Sequence, residues 1–177
     1  MSSSELTLFS YMVLALVGRG GASPYELQRM ARQGRIYDWA GESQYYVEPK
    51  RLARLGYLDA HREPGKTRER TVYRLTDKGL EALREWAGSA LSFPRLEHEA
   101  LVMLLGGDLV DEEDLRASLM SIREDIADLS ARLAVAEEAA KRLPHREKYL
   151  MMGHRLSRRL LDVHLEWLDE IERELGS

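Results

Sequence analysis

Cysteine is absent from the 177 residues, so neither disulfides nor thiolate metal ligands can hold any part of the fold, and a reducing compartment suits the chain. Long hydrophobic runs are missing too. The apolar run Tyr11 to Val17 is too short to cross a bilayer, and Met1-Ser2-Ser3-Ser4-Glu5 has no basic signal-peptide start, so the expectation is a soluble, cytoplasmic protein with no membrane partner.

Catalytic spacing is equally scarce. The histidines His61, His98, His145, His154 and His164 show no His-x-x-x-His spacing and no acidic ligand pair, and each reads as a satisfied or surface side chain. Gly18-Arg19-Gly20-Gly21 lacks the Gly-Lys-Ser/Thr of a phosphate loop and reads as a turn, and Ser43 has no Gly-x-Ser-x-Gly setting. Asp111 to Asp114 open a helix, where carboxylates favour the dipole. These absences leave an enzyme, a resident metal or a cofactor without support.

What is present is an uneven charge. Residues 1–90 carry 14 Lys and Arg against 11 Asp and Glu, a balance of +3; residues 91–177 carry 12 against 19, a balance of −7; the sum is the −4 of the whole chain. Between His61 and Arg74 lie Arg62, Lys66, Arg68, Arg70 and Arg74 against Glu63 and Glu69. A local cationic ridge on an acidic protein suits phosphates without indiscriminate binding.

Local signals place that ridge. Thr7 caps a first helix to Val17, with Leu6 able to staple onto Tyr11. Ser23-Pro24-Tyr25-Glu26 is a capping box opening a second helix that fades near Gly34. Residues 35–42 connect to a third helix that Gly56 ends. Tyr57 to Arg62 alternates like a half-buried strand, Glu63 to Glu69 holds a Pro-Gly turn, and Arg70 to Leu75 returns. Thr76 caps a fourth helix, Asp77 to Trp86. Three helices followed by two strands make a winged helix-turn-helix.

The same residues resemble the PadR-type transcriptional regulators. The resemblance rests on Gly21, Tyr25, Glu26 and Leu27, then Tyr46, Lys50-Arg51-Leu52 and Gly56, then Tyr73-Arg74-Leu75-Thr76-Asp77-Lys78-Gly79, and covers about residues 7 to 85. It implies a dimer held by C-terminal helices and a small aromatic or hydrophobic effector that releases DNA. Two positions depart from the family pattern. Val47 stands where a proline usually follows the tyrosine, and Pro24 stands where glycine is usual before Tyr25. Pro49 leaves two starts open for the third helix: at Ser43 the proline is interior and bends it, and at Glu48 it is an ordinary first-turn residue.

Beyond a boundary at Gly88 to Pro94, a short helix from Leu96 to Leu105 meets Gly106-Gly107. Leu115, Leu119, Ile122, Ile126, Leu129, Leu133, Ala136, Ala140 and Leu143 then step by fours and threes as a coiled-coil seam. A helix of roughly 30 residues spans about 45 Å, too long for a small winged helix to cover. A last helix, Arg146 to Leu175, carries Tyr149, Met152, Leu156, Leu160, Val163, Trp167, Ile171 and Leu175 on one stripe. The two can pair as a hairpin, and their width argues for a second copy as well.

The expectation is a mainly α chain: residues 1–90 a winged helix-turn-helix that binds DNA, residues 91–177 long antiparallel helices that dimerise through Leu119, Ile122, Ile126, Leu160, Val163, Trp167 and Ile171. A rigid helix with a polar leading end and flanking cations is what the major groove accepts. Ser43, Gln44 and Tyr46 are placed near base edges, Gln44 as reader of adenine, with Lys50, Lys66, Arg68 and Arg70 on phosphates. Trp39, Trp86 and Trp167 are the aromatic residues available to an effector, or to the core. The partners expected are double-stranded operator DNA, a second copy and such an effector, with the chain a repressor. Two rivals are a protein-interaction module, which needs no basic ridge, and a small-molecule enzyme, which lacks its catalytic groups.

Overall fold

The computed structural model describes residues 5–33, 40–65 and 69–176. The chain divides into two compact units, Met1–Ser92 and Phe93–Ser177.

In the first unit α1 (Leu8–Val17) begins at Thr7, whose hydroxyl accepts from the Ser10 amide while Ser10 returns the bond to the Thr7 amide. α2 (Pro24–Gln33) starts with the box read from Ser23-Pro24-Tyr25-Glu26: the Ser23 amide donates to Glu26 Oε2 at 2.8 Å. α3 (Gln44–Arg54) follows, and its end is a Schellman closure. Gly56 sits at φ +80°, its amide donates to Ala53 O, and the Tyr57 amide donates to Leu52 O, so two orphan carbonyls are satisfied by a residue with no Cβ to clash.

β1 (Leu58–Glu63) and β2 (Arg70–Leu75) pair antiparallel, with Leu58 opposite Leu75 and Glu63 opposite Arg70. A backbone bridge from Ala22 to Tyr73, with hydrogen bonds of 3.0 and 2.9 Å, ties this wing to the α1–α2 turn. Thr76 caps α4 (Asp77–Ala87) and donates to Gly56 O at 2.7 Å. Gly79 lies so close to the Tyr57 carbonyl that a Cβ there would overlap it, which explains a glycine in the first turn of α4. The core is Val13, Leu14 and Val17 of α1, Leu27 of α2, Tyr45 and Leu52 of α3, and Leu58 and Tyr73 of the wing.

In the second unit α5 (Glu99–Leu105) begins later than the sequence predicts, because His98 keeps an extended backbone as its cap. A 3₁₀ turn (Gly107–Leu109) leads to α6 (Glu112–Met120) and α7 (Ile122–Ala140). Ser121 between them keeps a helical backbone at φ −59° and ψ −22°, and its amide donates to Ala117 O at 3.2 Å, so the path expected from Asp111 continues through a local irregularity. There the Ser121 hydroxyl bonds the Ser118 carbonyl at 2.7 Å, a local competitor of the helical ladder. α8 (Glu147–Leu175) returns antiparallel: Arg116 and Arg123 reach Glu172, Arg123 also reaches Asp169, and Arg158 reaches Glu137.

That hairpin uses residues assigned above to a second copy. Leu119, Ile126 and Ile171 are buried inside one chain, together with Leu115, Leu133, Ala136, Leu161 and Leu168. α8 turns Ser157, Leu161, Leu168 and Ile171 inward, leaving Tyr149, Met152, Leu156 and Val163 exposed. Ile122, Leu160 and Trp167 are half-buried. The helix has two apolar stripes, and periodicity could not tell which one the hairpin would take.

Candidate nucleic-acid interface

α3 starts at Gln44, so Pro49 lies inside it. The ring faces the core with Tyr45 and Leu52, and its missing N–H removes the helical bond that would end on the Tyr45 carbonyl. The opposite face presents Ser43, Gln44, Tyr46, Val47, Lys50 and Arg54, all exposed. Lys50 and Arg54 form no ion pair among the described residues. Arg54 continues the Ser43, Val47, Lys50 spacing by one more turn and is legible from that spacing alone, although the sequence reading passed over it.

The wing is electrostatically different. Arg70 pairs with Glu26 at 2.9 Å and approaches Glu63 at 3.7 Å; Arg74 pairs with Glu63 at 3.0 Å and Arg62 with Glu69 at 3.7 Å. The basic ridge of the sequence is thus interleaved with carboxylates on the described part of the wing. The arginines are nearly half exposed or more, Arg70 being 45% accessible against 30% for Glu26, so the pairs are weak and exchangeable for a phosphate. Burial raises the Glu26 carboxyl, but hydrogen bonds from Ser23 and then Arg70 outweigh it and hold the group below its ordinary value. Lys66 and Arg68, assigned to phosphates, lie outside the described residues, as does Trp39.

The other tryptophans pack in separate places. Trp86 stacks on Tyr11 with ring centroids 4.7 Å apart and planes at 8°. Trp167 meets His98 and His164 edge-on. Those histidines are parallel rings with centroids 5.1 Å apart but Nε2 atoms 3.0 Å apart, so they meet tip to tip. His164 Nδ1 lies 2.6 Å from the Leu160 carbonyl, which can only accept, so the proton is on Nδ1 there, and in the neutral ring Nε2 is then the acceptor toward His98. An open concavity of about 540 Å³ beside them is lined by Leu96, Glu97, His98, Leu101, Val102 and Leu105. Neither Trp86 nor Trp167 lines it. Among the described residues no three His, Asp or Glu gather as metal ligands, and no helix is long and apolar enough to cross a membrane.

No family model and no curated protein matches the sequence. Solved structures do. Streptococcus mutans smu.1604c superposes with a TM-score of 0.77 at 17% identity, over 95% of this chain and 98% of that one. Vibrio cholerae virulence activator AphA gives 0.70 at 22% identity, over 96% and 98%. Bacillus subtilis PadR in complex with operator DNA gives 0.69 at 17% identity, over 97% of both. A winged helix followed by a long helical hairpin, shared over nearly the full length of each chain, gives this protein the fold of the PadR-type regulators.

Proposed function

We propose that the chain is a homodimeric DNA-binding transcriptional regulator of PadR type, a repressor that holds a two-fold operator and releases it on binding a small hydrophobic or aromatic molecule. The observation that carries this is the outward face of α3. Its buried side is locked into the core by Tyr45, Pro49 and Leu52, while Ser43, Gln44, Tyr46, Val47, Lys50 and Arg54 project together. A helix held this way, beside a two-stranded wing, suits the major groove.

Gln44 is our reader of adenine, with Ser43 and Tyr46 beside it. Lys50, Arg54 and Arg70 meet phosphates, as do Lys66 and Arg68 of the segment between the strands. Residues 1–90 form the DNA-binding part and residues 91–177 the dimerising part, in a cytoplasmic protein. The second copy covers the α8 stripe of Tyr149, Met152, Leu156 and Val163, with half-buried Leu160 and Trp167 at its margin. The effector is supported by analogy: a Bacillus subtilis PadR structure of the same fold, TM-score 0.63 at 18% identity, is in complex with p-coumaric acid. Trp86 is occupied by Tyr11, so Trp167 and the concavity beside His98 are the better place to look.

Titration of fluorescent duplexes from the chain's own upstream region, at several salt concentrations, tests the reading. Affinity should fall steeply with salt, and half-sites should lie about one helical turn apart. Lys50→Ala should flatten the slope by about one unit for its lost phosphate, while Gln44→Ala should alter base preference. Flat salt dependence, with no preference over random duplex, overturns it.

A further inference from the structure

The Lys-Arg pair of α3 splits between two tasks. Lys50 is exposed; Arg51, its neighbour, turns back into the protein. Its Nε donates to Glu48 Oε2 at 2.8 Å and its Nη2 to Glu48 Oε1 at 2.7 Å, a bidentate pair one helical turn long. The Glu48 side chain is only 13% exposed. Ser10, fully buried in α1, gives its hydroxyl proton to the same carboxylate at 2.6 Å. The Ser10 oxygen accepts from Arg51 Nη2 at 3.0 Å and from the Thr7 amide at 2.9 Å.

The network extends past α1. Arg51 Nη1 donates to the Glu5 backbone carbonyl at 3.1 Å, and the Glu5 carboxylate accepts from the Tyr57 hydroxyl at 2.7 Å. One guanidinium therefore joins the segment before α1, the capping box of α1 and α3, and Glu5 closes the ring onto Tyr57, just past the Gly56 stop of α3. Burial raises the Glu48 carboxyl, yet the bonds from Arg51 and Ser10 more than offset it and keep the group ionised below its ordinary range. Arg51 serves four acceptor atoms at once, Glu48 Oε1 and Oε2, Ser10 Oγ and the Glu5 carbonyl, which suits a planar five-donor fork and exceeds the three donors that a lysine carries on one atom.

We infer that Arg51 is a positioning residue: with Glu48 and Ser10 it sets how α3 is seated on α1, and so how the exposed face is presented, without itself meeting a phosphate. This rests on the DNA-binding reading of α3. Charge counting predicts the opposite behaviour. If Arg51 were a phosphate contact, removing it would flatten the salt dependence, and removing the Glu48 anion would strengthen binding.

The test uses the full chain and a fluorescein-labelled upstream duplex of about 30 base pairs, long enough for two half-sites. Arg51→Gln and Arg51→Lys should each weaken binding about tenfold at every salt concentration, leaving parallel lines, since a part-buried charge-assisted network is lost and no counterion contact is. Glu48→Gln should weaken binding as well, although it makes the protein less acidic, and Ser10→Ala should do so with no change of charge. Amide hydrogen exchange provides a readout independent of DNA: the α3 amides should exchange faster in Arg51→Gln and unchanged in Lys50→Ala. A slope flattened by about one unit in Arg51→Gln, tighter binding by Glu48→Gln, or unaltered α3 exchange overturns the inference. Should the wild-type chain bind no duplex, the DNA reading fails by itself, and the exchange comparison still decides the role of Arg51.

Discussion

The two units of the chain solve the problem of burying apolar surface differently. The first packs four helices and a wing around one core, where Val13, Leu14, Leu27 and Leu52 are completely buried. The second is a helical hairpin with a short helix before it, and a hairpin has only one inside. Leu119 and Leu168 reach full burial, while Leu101, Val102, Leu105, Val135, Tyr149, Met152, Leu156 and Val163 stay exposed. Exposed apolar surface on that scale calls for a further covering. The difference teaches where selection of a partner can act. A unit that closes its own core leaves its polar face available for recognition, and one that cannot close it is available for assembly.

The contrast can be broken most severely in the first unit. Gly79→Ala drives a methyl into the Tyr57 carbonyl and should cost about 3 kcal/mol, read by urea unfolding. Next, Leu119→Ala and Val163→Asp separate inner from outer stripe. The former, at a residue with 0% exposure, should lose about 3 kcal/mol. The latter should leave the fold intact and, by light scattering, reduce a dimer to a single chain; a Val163→Asp chain that still dimerises removes the exposed α8 stripe from the interface.

Acid offers a subtler test, because the two units should respond at different pH. Burial pushes His154 of α8 below its ordinary value of 6.5, with Glu137 opposing and Arg158 reinforcing, and its Nδ1 has no hydrogen-bond partner among the described residues. The unfolded chain then takes up the proton more readily than the folded one. The second unit should be fully stable above pH 6.5 and weaken as pH falls from there through the folded value. Glu48, held below 4.5, contributes stability that is complete above pH 4.5 and lost as pH falls through its folded value. Denaturant melts should therefore lose stability first as pH falls below 6.5, a loss that His154→Gln removes, and only later, below pH 4.5, in a step that Glu48→Gln removes.

Much of the first unit was legible because its signals are local. Ser23 and Glu26 stand three apart, and Gly56 ends α3 through bonds to Ala53 and from Tyr57 to Leu52. Such contacts need no knowledge of the rest of the chain. The candidate site was legible in part. The exposed face of α3 follows from its spacing, but the partners of its charges do not: Arg70 finds Glu26 across 44 positions and Arg51 finds Ser10 across 41. A basic residue reads the same in sequence whether it awaits a phosphate or already holds a carboxylate.

In the second unit periodicity predicted two long apolar helices but not their inner faces. Both stripes of α8 satisfy the same spacing rule. By itself, then, the sequence determined the elements and their caps, because hydrogen bonds between residues three to five apart depend on backbone geometry and local side chains alone. Only the tertiary structure decided which apolar stripe is interior and which arginine is committed, because those outcomes depend on which distant residue arrives within hydrogen-bonding or van der Waals reach.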